Sequence, residues 1–135
     1  MRSSATMTKA RTILGLIAGV LMAVSSAAHS LLGWKALSGA LTAAQVPADL
    51  IETLGFGRHF GGIAMLAFGC IVLAVFWNRL KAVPVSVMPA VVIGTTYVGF
   101  GLGAFVAGGF DPFFMIFVVP GLFVLIASPP RRGVA

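Results

Sequence analysis

Long apolar runs separated by short polar breaks organise this chain. The first run spans about 12–33, after Arg2, Lys9 and Arg11. The second begins at Arg58 and ends at Trp77, ahead of Asn78-Arg79-Leu80-Lys81. The third, about 87–107, follows Pro84 and opens around Pro89. Each holds roughly 20 residues, which at ~1.5 Å rise per residue matches a hydrocarbon core ~30 Å thick. The turn Gly108-Gly109-Phe110-Asp111-Pro112 leads into a fourth run, 113–127, only ~23 Å long as a helix. Pro120-Gly121 at its centre predicts a kink.

The longest polar interval is 35–57. Thr42 and Gln45 have the spacing of a capping box, and Pro47 suits the first turn of a short helix closed by Gly55. Leu50, Ile51 and Leu54 would share one face of it, with Asp49 and Glu52 turned away. Such a helix lies on the membrane surface or packs against the bundle. The pattern therefore predicts an all-α fold: one membrane domain over 1–135, a four-transmembrane-helix bundle with a short interfacial helix between its first two spans. A rival reading takes the cations, Ile13–Ala23 and Ser25-Ser26-Ala27-Ala28 as a cleavable leader. The apolar character resumes at Leu31-Leu32-Gly33-Trp34, with Trp34 placed as an interfacial anchor, and this favours an uncleaved helix.

Composition narrows the class. Of the 135 residues 59% are hydrophobic and 9% charged, too few charges to clothe a soluble domain, which carries about 25%. The formal charge of +6 comes from cations scattered among apolar blocks, so it reads as membrane flanks and not as a nucleic-acid surface. Arg2, Lys9, Arg11, Arg79, Lys81, Arg131 and Arg132 fall on one side of a four-span arrangement, and Lys35 and Arg58 on the other. That asymmetry predicts both termini in the cytoplasm. Cys70 is the single cysteine, so no intrachain disulfide forms and a thiol oxidoreductase needing a Cys pair is excluded. In the middle of an apolar run, it is expected to be a small buried side chain.

Glycines recur four apart at Gly15 and Gly19, Gly57 and Gly61, and Gly99 and Gly103, a spacing that lets helix backbones approach. The third helix, with Gly94 and Gly101 as well, is expected to be the central, most tightly packed one. The run from Gly99 to Gly103 follows no strand and makes no nucleotide site.

Candidate chemistry gathers at the outer face. His29 ends the first span and His59 opens the second, so both imidazoles are expected at comparable depth, with Asp111 in the last turn on the same side. Two imidazoles could hold haem b or a quinone-type redox group between helices, and His29, His59 and Asp111 could ligate a divalent metal. The plainer reading makes the histidines structural, bonded to backbone carbonyls or exposed to headgroups, with no cofactor. Ser25, Ser26 and Ser30 are expected to bond back to the preceding turn. Tyr97 has no charged partner in its span. No hydrolase nucleophile elbow is present, and no mid-helix glutamate of the kind a proton-coupled small multidrug exporter needs.

His29-Ser30-Leu31-Leu32-Gly33 near the end of the first span and Arg58-His59-Phe60-Gly61-Gly62 opening the second together resemble a type of small bacterial four-helix integral membrane protein. The resemblance covers roughly the first half of the chain. It implies a four-helix bundle in a bacterial cytoplasmic (inner) membrane and carries no activity with it. The leading expectation is a non-enzymatic accessory or assembly subunit, whose partners are the lipid bilayer and other membrane-protein subunits or itself, through glycine-lined helices. The alternatives are a haem- or metal-binding protein using His29 and His59, and an oligomeric facilitator of small-molecule passage.

Overall fold

The computed structural model describes residues 2–129, with side chains from residue 9 onward. Arg131 and Arg132, which enter the charge asymmetry, lie outside the described residues. All regular structure among the described residues is helical: α1 (Arg2–Ala27), a π-turn (Ala28–Leu32), α2 (Gly33–Ala43), α3 (Ala48–Leu80), α4 (Met88–Ala107), a 3-10 turn (Pro112–Phe114) and α5 (Met115–Ala127). Three helical stretches are long and apolar enough to cross a membrane, Lys9–Ala43, Ala48–Leu80 and Met88–Ala107; Pro112–Ala127 is a shorter apolar helix. Exposed Val24, Leu32, Phe56, Phe60 and Ile63 coat the outside, as suits helices bathed in lipid.

The polar interval is built differently from the sequence expectation. Helix continues from α1 through the π-turn to Ala43, because nothing in 34–43 stops it, and α3 runs unbroken for 33 residues. There is thus no separate interfacial helix: the segment after Pro47 forms the first turns of α3, which at ~50 Å exceeds a bilayer core. Gly55 does not terminate it, since this glycine is the seat for the Trp34 indole, 2.9 Å from where a Cβ would stand. Nor does a capping box form. The Thr42 hydroxyl donates back to the Ser38 carbonyl, and Gln45 takes φ 57° in the turn that ends α2. Both backbone bonds there, Gln45 N–H to the Thr42 carbonyl and Val46 N–H to the Leu41 carbonyl, complete a Schellman closure.

Two antiparallel hairpins make up the bundle. α1 with α2 lies along α3 in a regular register. Gly15 meets Phe76, Gly19 meets Leu73, Gly69 meets Ala23, Gly62 meets Ser30, Gly33 meets Arg58 and Gly55 meets Trp34. At each step a glycine faces a residue of the other helix, so the backbones approach closely and gain van der Waals contact, the main attraction between helices in lipid. α4 lies along α5 in the same manner: a Cβ on Gly121 would stand 2.9 Å from the Gly94 carbonyl oxygen, and Gly101 seats Val118. α5 continues through Pro120, itself buried beside Gly121.

α1 also packs on α5, whereas α3 and α4 touch only lightly, so the helices run α3, α1, α5, α4 around the bundle. This corrects the expectation of a central third span: of its glycines, Gly94 and Gly101 are spent on α5 while Gly99 and Gly103 face open space. Cys70 is also on the outer face, because neighbouring Gly69 and Val72 occupy the inward positions of α3.

The core sits at one end. Ala18, Met22, Val72, Val75, Phe76, Ala90, Ile93, Tyr97, Val124 and Ala127 form a single buried cluster. Arg79 seals this end at 7% exposure. Its Nη1 donates to the Ala127 carbonyl at 3.0 Å and its Nη2 to the Pro129 carbonyl at 3.3 Å, capping α5, while the guanidinium lies 5.8 Å from the Phe76 ring centre. Towards the other end, where the π-turn, Arg58 and the 3-10 turn lie, Val118 is buried against Gly101 but most apolar side chains stay partly exposed. Here the hairpins part.

Candidate functional site

The gap between the hairpins holds two cavities that share His29, Met65 and Phe117. The upper, of about 280 Å³, lies among the π-turn, Ser25, Arg58 and the start of α5, with Phe113 and Ile116 in its wall. The lower, of about 190 Å³, reaches inward between α3 and α4 and is walled by Phe68, Phe100 and Phe117, with Tyr97 at its inner side. Phe68 packs edge-on to Tyr97 at 6.4 Å and Phe100 edge-on to Phe117 at 5.0 Å, while Tyr97 and Phe117 are tilted at 6.0 Å.

The π-turn sets the polar floor. A single wide turn inserted into a long helix shifts the facing of every residue beyond it, a device often found where function needs a side chain re-aimed. Ala28–Leu32 is closed by a bond from the Gly33 N–H to the Ala28 carbonyl. Arg58 braces it from α3, its Nε donating to the His29 carbonyl at 3.1 Å. Two glycines make room: the guanidinium rests against Gly33, and Gly62 accepts the Ser30 side chain. The His29 ring extends over Gly61, its Nε2 3.5 Å from where a Cβ would be, and so reaches both cavities.

Three polar side chains in this gap keep unused hydrogen-bonding capacity. The Tyr97 hydroxyl is buried without a partner, in a residue only 5% exposed. Neither nitrogen of His29 bonds to the protein, and Arg58 uses only its Nε, among the described residues. The other hydroxyls are already engaged: Ser25 donates to the Met22 carbonyl at 2.9 Å and Thr96 to the Val92 carbonyl at 2.9 Å. No carboxylate lines either cavity. The gap is thus an apolar, aromatic-walled space with a few uncommitted donors, the usual character of a small-molecule site.

The residues singled out from sequence are distributed as follows. His29 lines both cavities, whereas His59 lines neither and packs edge-on to Trp34 at 5.9 Å between ring centres. The two histidines sit on different sides of the α1–α3 contact because the π-turn aims His29 towards α4 and α5. Asp111 caps the 3-10 turn, its Oδ1 accepting from the Phe113 N–H at 2.8 Å. Among the described residues no three His, Cys, Asp or Glu side chains are gathered as a metal site would need, so His29, His59 and Asp111 are not brought together. Ser26 bonds back to the Ala23 carbonyl at 2.6 Å, as hydroxyls in helices commonly do, and Ser25 does likewise. Sequence reasoning counted Arg58 only as a flanking cation and left Tyr97 without a role. The readable signal for Arg58 was Gly33 standing opposite it in the antiparallel register.

The chain matches no known protein family, and no curated protein and no solved structure is significantly similar to it. Its class therefore rests on its own features: an all-helical chain with three helices long and apolar enough to cross a membrane.

Proposed function

We propose that this is an integral protein of a bacterial cytoplasmic membrane, crossing it four times with both termini inside, that acts by lateral association with another transmembrane helix. The fourth crossing is the 3-10 turn with α5, together ~25 Å long, which returns along α4 and suits a slightly thinned or tilted passage. The observation that carries the reading is a stripe of small residues on the outward side of α4. Thr95, Gly99, Gly103 and Ala107, each four apart, are all exposed, and nothing lies within 4 Å of a Cβ added at Gly99 or Gly103. By contrast Gly15, Gly19, Gly69, Gly94 and Gly101 are filled by a neighbouring helix, while Gly39 and Gly57 are open like Gly99 and Gly103. A face of this kind with no occupant inside the chain suits a helix from outside it, a second copy or a subunit of a membrane complex.

The test is the full-length protein isolated in lipid nanodiscs, with its native mass and co-purifying membrane proteins measured. The wild type is expected to retain a stoichiometric partner, and the double variant Gly99→Leu/Gly103→Leu to lose it without change in thermal stability. A strictly monomeric wild type, or undiminished association in the variant, would overturn the reading.

A further inference from the structure

We infer that the gap between the hairpins is a binding site for a single-chain amphiphile with a carboxylate head, the chemical class of the free fatty acids. The head lies at Arg58 in the upper cavity and the alkyl chain in the lower. The inference rests on the membrane reading of α1, α3 and α4, and it is independent of the association proposed for the outer face of α4.

Arg58 carries the head end. A cation at the end of a transmembrane helix ordinarily snorkels out to water. Arg58 reaches sideways instead, its Nε held by the His29 carbonyl at 3.1 Å and its Nη2 laid against Gly33; His29 and Gly33 line the upper cavity with it. Neither Nη nitrogen bonds to the protein among the described residues, and neither is sealed off as the Tyr97 hydroxyl is. No acid answers the charge. Asp111 is committed to the Phe113 N–H, and Glu52, the nearest acid along α3, stands six residues earlier, ~9 Å further along the helix axis. A guanidinium without a counter-ion at the edge of a bilayer is costly, and such a residue points to a ligand of opposite charge. With Nε occupied, the edge left over is the pair of Nη groups, which matches the two oxygens of a carboxylate.

The lower cavity carries the tail. Gly61, Ala64, Met65, Phe68, Phe100 and Phe117 give it a wall with almost no polar surface, which suits methylene groups. It adjoins the upper cavity at His29, Met65 and Phe117, and the Met65 side chain is flexible enough to shift as a chain passes. From the level of Arg58 to that of Phe68, α3 advances ten residues or ~15 Å, the reach of an extended acyl chain. Spaces of about 280 and about 190 Å³ suit a head and one chain. Entry is from the bilayer: Leu32, Phe113 and Ile116 wall the upper cavity and are all exposed, and α3 and α4 touch only lightly beside the lower one.

The experiment is photolabelling of the full-length protein in phosphatidylcholine nanodiscs with a palmitic acid bearing a mid-chain diazirine, followed by mapping of the labelled peptides. Incorporation into the nanodisc tests the membrane reading before any label is added. The wild type is expected to label saturably at the walls of the gap, Met65 and Phe117 among them, with oleate competing and methyl oleate not. Arg58→Gln should lower labelling at a limiting probe concentration about tenfold, the loss of a charged hydrogen-bonded pair. Ala64→Phe is the second variant: it fills the lower cavity and leaves Arg58 and the π-turn untouched. Its labelling should fall to a similar degree while its melting temperature holds or rises. Labelling that increases linearly with probe in all three proteins, or that either variant leaves intact, would overturn the inference. So would equal competition by methyl oleate, which would make the gap an apolar slot, or competition by phosphatidylglycerol and not by oleate, which would assign Arg58 to a phospholipid. Loss of partner capture in the Gly99→Leu/Gly103→Leu variant bears only on the association reading, so the two fail separately.

Discussion

Each end of the bundle has an arginine reaching across to backbone carbonyls of another helix, yet the two arginines do different work. Arg79 is buried, gives bonds to the carbonyls of Ala127 and Pro129, and lies over Phe76 in the best-filled layer of the protein. Arg58 is half-buried and commits one nitrogen, to the His29 carbonyl, leaving its terminal amino groups to an unfilled gap. At the Arg79 end the charge is consumed in closing a helix terminus. At the His29 end a similar contact props open a widened turn and leaves capacity over. A saturated polar group holds a fold together; an unsaturated one in an aromatic cavity is a place for a ligand.

The comparison can be broken at several points. Arg79→Met should have the largest effect: two charge-assisted bonds disappear and two carbonyls at the end of α5 lose their donor, a loss of about 3 kcal/mol read as a lowered unfolding midpoint in detergent. If the midpoint stays put, the Arg79 end is not the clamp described. Next is Gly69→Leu, whose side chain would meet the Ala23 backbone, with the Cβ alone only 2.7 Å from the Ala23 nitrogen. Overpacking there should cost about 2–3 kcal/mol, whereas Gly99→Leu should stay within about 0.5 kcal/mol because its Cβ enters open space. Equal losses at the two glycines would erase the distinction between inner and outer faces. Arg58→Gln comes last, with about 1 kcal/mol from one hydrogen bond, and its clearer signature is a loosened π-turn seen as faster amide exchange around His29.

Much of the fold was legible because apolar runs and glycine spacing are local properties. The helical class, with three helices long and apolar enough to cross a membrane, follows from them. Gly15 and Gly19, chosen for their spacing, do seat a neighbouring helix. What was hidden is what depends on a partner across the bundle. Gly55 reads as a helix stop until Trp34 is seen resting on it, and the interfacial helix vanishes with that contact. Cys70 and Gly69 are adjacent, and only the register of α1 decides which one points inward. The candidate site shows the same limit. Topology suggested that His29 and His59 share one end, but a π-turn has no sequence signature here; His29, within it, lines the gap while His59 packs on Trp34. Tyr97 was visible as an intramembrane polar residue, while its missing partner could be known only from the packed structure.

The central claim is that the two hairpins are clamped at the Arg79 end and separable at the His29 end. The most direct test is a pair of spin-label distance distributions across the α3–α4 seam, in nanodiscs and on a Cys70→Ser background. One pair, at Trp77 and Met88, sits at the Arg79 end, and the other, at Phe60 and Val106, sits at the His29 end; all four residues are exposed. The account predicts a narrow distribution for the first pair and a broad one for the second. Equal widths at both ends would contradict it.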